Sequence, residues 1–402
     1  MPMKILMLNS AVYNHGFTDV ASIHTRSLAL EFAEKHRVCI VGQIEQPVPA
    51  GDNLSVITIK APLARWRSLY SGQNVVLATV HRAALVFFTL YSGLQADLKE
   101  RFDVIYARHG LPSLAGALLS RVINIPMVVE LNGLLDSEAE IFHWPKPARH
   151  LTKLIEIFVF HTAKAVVALT KEGRNEVVTR FNFEGDKVTV VPNGVDTHLF
   201  RPRNKNDARR GCKITPRRKV VCFVGNLMPW QGLENLIAAA PTILERFPET
   251  LFVVVGDGPR KEELSLLVDS VRISRAFYFA GKVPHTKVPN YVNSADVCVA
   301  PSKHYGIGLS PLKLFEYMSC GKPVVASDIS GVGELLTNYS CGVVVQPDDS
   351  QGLARAIIRV LEDDRLAFRI GREARRTTLQ FFTWRIISEK INQVFEMTVE
   401  TR

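Results

Sequence analysis

From Pro301 to Gly321 the chain runs Pro-Ser-Lys-His-Tyr-Gly-Ile-Gly308-Leu-Ser310-Pro311-Leu312-Lys313-Leu-Phe-Glu316-Tyr-Met-Ser-Cys-Gly. Ser310 followed by Pro311 is an N-cap with a first-turn proline, and Gly321 is a stop, so a helix of about three turns is predicted. The free N–H groups and positive dipole end at its start suit a phosphate. Lys313 in that first turn opposes the dipole unless an anion meets it; the alternative is a surface pair with Glu316 at i,i+3. Glu316 sits on a helix otherwise apolar at Leu312, Leu314, Phe315 and Met318, where a carboxylate needs donors such as ribose hydroxyls. Two further segments place glycine directly after an apolar run, where backbone turns tightly or nears a ligand: Val224-Gly225-Asn226-Leu-Met-Pro-Trp-Gln231-Gly232 and Val255-Gly256-Asp257-Gly258-Pro259. In the first half, Tyr106-Ala-Arg108-His109-Gly110 and Glu130-Leu-Asn132-Gly133 also follow apolar runs. Arg108 and His109 are candidates for acceptor or phosphate contact, with a structural histidine as the alternative. His24 and Arg26 carry the same two readings.

These residues need elements that bring them together. Short β-branched runs alternate with helical patterns: Lys4 to Leu8, Val38 to Val41, Val56 to Ile59, Val104 to Tyr106, Met127 to Leu131, Ala165 to Leu169 and Val188 to Val191. The second half repeats the scheme from Val220 to Val345, with helices such as Leu233 to Phe247 and Gly352 to Glu362. Alternation of this kind predicts parallel sheets, hence two doubly wound α/β domains with ligands at the carboxyl ends of the strands, in a cleft between them. Residues 200–219 hold nine basic residues, one acid and two prolines, and read as a linker that forms no core element, with a boundary near residue 200. Thr383 caps a terminal helix with Ile386, Ile387, Ile391, Val394 and Phe395 at helical spacing. At 402 residues and 47% hydrophobic, the chain is long and apolar enough for two cores. The six cysteines lack a Cys-x-x-Cys pair and read as buried free thiols in a reducing cytoplasm, with no metal site and no secretory signal. Net charge is +10, mostly in the second half, without basic runs interleaved with aromatics. An anionic small ligand or a membrane surface is favoured over nucleic acid.

The same residues resemble the family 4 retaining glycosyltransferases, the glycosyl transferases group 1 of GT-B fold. The likeness runs from the opening strand and Gly16 through Val190-Val-Pro-Asn193-Gly194-Val-Asp196, Gly256-Asp-Gly-Pro, Asn293-Ser-Ala-Asp296, Glu316-Tyr-Met-Ser-Cys-Gly321-Lys-Pro-Val-Val-Ala-Ser327 and Gly331-Val-Gly-Glu334. It implies two Rossmann-like domains facing a central cleft: residues 1–200 bind the acceptor, residues 201–382 bind a nucleotide-diphosphate sugar, and the helix 383–402 packs back on the first domain. It further implies transfer with retention, without a metal or other cofactor. Donor contacts then fall on Gly225, Asn226, Gln231, Gly256, Val283, Gly308, Ser310, Leu312, Lys313 and Glu316, with Glu316 on the ribose. Asn132, Arg108 and His109 stand at the catalytic positions, and Gly16 and His24 at the acceptor side. Four positions depart from the family pattern. Gly308 replaces the first glutamate of a pair, Asn226 and Gln231 replace diphosphate-binding cations, and Asn132 replaces a histidine, so no proton exchange is available there. Pro311 removes one backbone donor. Lys313, with Lys303 or His304, is expected to supply the missing charge.

A glycan or lipid-linked acceptor, as in cell-surface polysaccharide synthesis, is the expected partner. Ala64-Arg65-Trp66-Arg67 before the apolar stretch Val75 to Leu94 suggests peripheral contact with the cytoplasmic face of the inner membrane, the alternative being an ordinary core helix. His81 and Arg82 argue against a membrane span. The rival functions are a catalytically inactive nucleotide-sugar-binding protein of the same fold and a GT-B sugar-nucleotide epimerase.

Overall fold

The computed structural model describes residues 2–10, 20–43, 51–59, 75–136, 144–304, 310 and 312–400. Gly16, Ala64 to Arg67, Gly308 and Pro311 lie outside the described residues. The chain forms two units, one of Met1–Pro192 with Trp384–Arg402 and one of Asn193–Thr383.

The first unit holds β1 (Lys4–Ser10), β2 (Arg37–Gln43), β3 (Leu54–Thr58), β4 (Val104–Arg108), β5 (Met127–Leu131), β6 (Ala165–Ala168) and β7 (Val188–Val190). Among the described residues they form one parallel sheet in the order β3-β2-β1-β4-β5-β6-β7. β5 is buried at all five residues, which is why it reads as an unbroken Val-rich run. The order reverses between β1 and β4, so a crevice opens past the ends of those strands, where Arg108 closes β4. On one face the helix Leu111–Ile123 lies between the helices Val75–Glu100 and Lys146–Thr162. The terminal helix Trp384–Glu400 packs on the helix Val20–Ala33: the Phe395 ring lies 5.3 Å from both Phe32 and Tyr106, and Trp384 meets His24 edge-on at 5.1 Å.

The second unit holds β8 (Val220–Val224), β9 (Leu251–Val255), β10 (Phe277–Gly281), β11 (Val297–Ala300), β12 (Val324–Ser327) and β13 (Val343–Val345). Its parallel sheet has the order β10-β9-β8-β11-β12-β13 and reverses between β8 and β11. Gly225 and Pro301 therefore stand at its crevice.

Residues 200–219 are not a bare linker. They contain the helix Lys205–Gly211, capped by the Asn204 side chain on the N–H groups of Asn206 and Asp207. Cys212 and Ile214 enter the second unit's core. The basic run folds because Arg209 is buried against Asp296 at 2.7 Å and against the Ser294 carbonyl. Val195 and Phe200 join the same core, so the second unit begins just before the expected boundary, after Pro192. All six cysteines are free and buried. No described helix, Val75–Glu100 included, is long and apolar enough to cross a membrane.

Candidate functional site

In the second unit the helix Leu312–Ser319 runs for eight residues, about two turns where three were expected. Tyr317 fixes it to β8: its hydroxyl accepts the Val224 N–H at 2.6 Å and faces the Val224 carbonyl at 3.3 Å. One turn earlier, Lys313 consequently sits over the strand end. A Cβ on Gly225 would lie 2.9 Å from the Lys313 ammonium, which also stands 4.1 Å above the Phe223 ring. The ammonium donates to the Gln231 carbonyl oxygen, and the Gln231 amide donates to Asn226 Oδ1 at 2.9 Å. Lys313, Gln231 and Asn226 thus form one connected chain at the end of β8. Gly256, with φ +137°, closes the floor: a Cβ there would meet the Gly225 carbonyl oxygen at 1.8 Å. Burial pushes the Lys313 ammonium down to about 7, against a smaller opposing pull from Glu316.

Glu316 is buried and bonds His285 Nε2 at 2.8 Å, so its partner is a histidine 31 residues upstream and the alternative reading of a surface pair with Lys313 falls. The His285 ring lies 5.0 Å from Phe200, and Val283, two residues before it, packs against the core. The Ser310 hydroxyl accepts the Asn193 N–H at 3.2 Å, and its carbonyl accepts the Asn193 amide at 2.8 Å. Leu312 is buried at the helix start. Lys303, expected to help supply charge, is occupied by Glu234 at 2.7 Å and Asp348 at 3.2 Å, which hold its ammonium charged more firmly than usual. Lys303 is thus committed to those carboxylates, while the Lys313 ammonium stands on the glycine floor.

In the first unit, Arg108 and Asn132 are brought together. In the amide orientation its neighbours require, Asn132 Oδ1 accepts from Arg108 Nε at 2.8 Å and Nη2 at 3.1 Å, and its nitrogen donates to the Glu130 carbonyl at 3.1 Å. The Glu130 carboxylate, 1% exposed, lies 3.4 Å from Arg108 Nη1, 3.4 Å from His24 Nε2, and accepts the Tyr106 hydroxyl. Burial lowers His24 to about 4, so its ring is neutral at ordinary pH even beside Glu130. Burial and the same carboxylate push the Tyr106 phenol well up. His109, expected beside these residues, instead bonds Glu156 at 3.1 Å and Ser113 at 3.3 Å and stacks on Phe160. Glu156 also takes the Leu135 N–H at 2.6 Å, so this pair fixes the segment after Asn132. Among the described residues no group of His, Cys, Asp and Glu is arranged to hold a metal ion.

The family profile Glycosyltransferase Family 4 matches residues 21–199, and Glycosyl transferases group 1 matches residues 204–377. The chain belongs to the family 4, group 1 glycosyltransferases. This glycosyltransferase is 25% identical over 378 residues to an uncharacterized glycosyltransferase of Methanocaldococcus jannaschii, covering 89% of this chain and 93% of that one. It is 27% identical over 271 residues to the Escherichia coli UDP-Gal:alpha-D-GlcNAc-diphosphoundecaprenol alpha-1,3-galactosyltransferase, covering 66% and 68% of the two chains. The Anabaena protein Alr3699/HepE, solved with UDP, shares the fold at a TM-score of 0.74, 20% identity and coverage of 98% and 100%. The glycosyltransferase thus has the GT-B fold, and each of its two units matches one half of the family.

Sequence reasoning missed Glu130, Tyr106, Glu156 and His285. Glu130 left a signal: one carboxylate inside the otherwise apolar run Met127 to Leu131, at the strand end that faces a crevice.

Proposed function

We propose that this glycosyltransferase moves a sugar, with retention, from a nucleotide-diphosphate donor to a glycan or lipid-linked acceptor of a cell-surface polysaccharide. One observation carries the donor assignment: a poorly solvated lysine lies on a glycine floor at the switch point of the second sheet, with two amides chained to it. A diphosphate there restores the charge that burial disfavours and accepts from Lys313. Gly225 and Gly256 let it approach main chain, and Leu312 and the helix start add dipole. Asn226 and Gln231 take the positions of the usual cations as neutral donors. Glu316, held by His285, faces the ribose, and Val283 with Ser310 lines the donor. Charge on the departing diphosphate is stabilised by Lys313 and the helix end, with no metal in the step. Arg108 and Asn132 serve the acceptor, with His24 and Glu130 behind them. His109 acts as a positioning residue through Glu156. The solved complexes of Alr3699/HepE with UDP and UDP-glucose support a uridine nucleotide, and the Escherichia coli relative's name supports a lipid diphosphate acceptor.

Titrating UDP and GDP into the protein and its Lys313→Ala variant tests the reading. Loss of one charge-assisted contact of about 1.5–3 kcal/mol predicts a roughly 10- to 150-fold weaker complex. Unchanged affinity refutes the assignment. Release of sugar from the donor separates an active transferase from a protein that only binds.

A further inference from the structure

The helix Lys146–Thr162 has two faces of different kinds. Its inward face carries Glu156, its one acid, which is fully buried on His109 and the Leu135 N–H. Outward it shows Lys146, His150 and Lys153 together with Leu151 and Leu154, which are 54% and 51% exposed. A soluble surface helix would place acids among those bases, and this one has none to place.

The neighbouring helix Val75–Glu100 continues the pattern. Ala83, Phe87 and Tyr91 recur every four residues on its outer face; Phe87 and Tyr91 are 61% and 53% exposed, with their rings stacked at 6.5 Å. Both helices flank the helix Leu111–Ile123 on the same face of the sheet, and the Arg82 guanidinium of the first lies 4.2 Å over the Trp144 ring, two residues before the second begins. Phe87 is little more than a turn beyond that contact. The aromatic stripe and the basic, leucine-bearing stripe therefore belong to one face of the first unit.

We propose that this face docks on the surface of an anionic lipid bilayer. Charge complementarity selects that occupant. Phe87, Tyr91, Leu151 and Leu154 enter the boundary between headgroups and acyl chains, and Lys146 and Lys153 extend their stems along it to reach phosphates. An apolar patch without interleaved bases would instead fit a second copy of the chain. The proposal goes beyond the transfer reaction and stands without the donor assignment. The docking helix reaches the acceptor side through Glu156, which ties it to the segment following Asn132.

Sedimentation of the full-length protein with phosphatidylcholine vesicles, with and without about one quarter phosphatidylglycerol, tests this. Binding is expected only to the anionic vesicles and is expected to weaken steeply with salt. Reversing two charges with Lys146→Glu and Lys153→Glu should lower partitioning at least tenfold, at roughly fivefold for each basic residue lost. Phe87→Ser with Leu154→Ser should lower it by about tenfold or more. Both double variants alter exposed side chains and should keep the melting temperature and the UDP response of the parent. Absence of vesicle binding at low salt overturns the proposal, as does binding unchanged in either double variant. A parent dimer that Phe87→Ser with Leu154→Ser dissociates, without vesicle binding, assigns the face to self-association and overturns it as well. Vesicle binding with no UDP response leaves docking standing and removes the donor reading.

Discussion

Lys313 is a lysine whose place in the fold works against its own charge. Its ordinary value is 10.5 and burial brings it to about 7. Between those values the folded protein binds fewer protons than the unfolded chain, so this residue makes stability rise with pH from about 7 to 10.5. Lys313→Met should remove that rise and make the protein more stable than the parent at pH 6, while weakening donor binding as Lys313→Ala does; chemical denaturation at pH 6 and pH 9 reads the stability difference. An arriving diphosphate acts in the opposite direction, because it favours the ammonium. Binding should therefore take up a proton above pH 7, and affinity should fall by up to tenfold for each pH unit beyond it. Calorimetry in two buffers of different ionisation enthalpy measures the uptake directly, and equal heats in both would show that Lys313 does not meet the anion. At this scale the sequence was informative about which residues carry charge and poor about whom they meet. Lys313 and Glu316 stand out against an apolar helix pattern. Their partners Gln231 and His285 lie in other segments, and no local periodicity links them. The Arg108 and Asn132 pair was legible only as two strand ends. The carboxylate that organises them, Glu130, was hidden in a run that otherwise reads as core.

Elements were legible where burial is continuous and misread where a charge is buried. Each predicted strand run is present, because a parallel sheet covered on both faces demands uninterrupted apolar residues. The misreading was residues 200–219, whose nine bases argued for solvent. Arg209 is nevertheless inside, since Asp296 lies 87 residues away in sequence and 2.7 Å away in space. Asp296 also accepts the Val220 N–H that opens β8 and pairs with Lys205 at 2.9 Å. One carboxylate thus fixes the helix Lys205–Gly211 to the strand that ends at Gly225. Asp296→Asn leaves the buried guanidinium without its counter-charge, a loss of about 3–5 kcal/mol. Urea denaturation should show that loss in full. Arg209→Met together with Asp296→Asn should recover part of it, since the unpaired charge is then gone; no recovery would locate the cost in the Val220 contact.

The order of strands and helices along the chain already implied two separate cores, and the apolar spacing after Thr383 implied a helix in need of a surface. What spacing could not show is how completely that helix belongs to the first unit. Trp384, Ile387, Ile391, Val394 and Phe395 are all buried, and they cover Phe32, Tyr106 and His24. Each large side chain returned to water costs about 1.5–3 kcal/mol. Five of them together match the roughly 5–15 kcal/mol by which a whole domain is stable. A chain ending at Thr383 is therefore expected to lose the first unit and keep the second, whose core lies within Val195 to Phe382. Hydrogen exchange followed by mass spectrometry distinguishes the cases: amides of β1 and β4 should exchange at unfolded rates while those of β8 and β9 stay protected. Protection retained in β1 and β4 would mean that the helix merely rests on a unit able to fold without it. The buried Trp384 against His24, one residue after the chain leaves the second unit, argues that it does not.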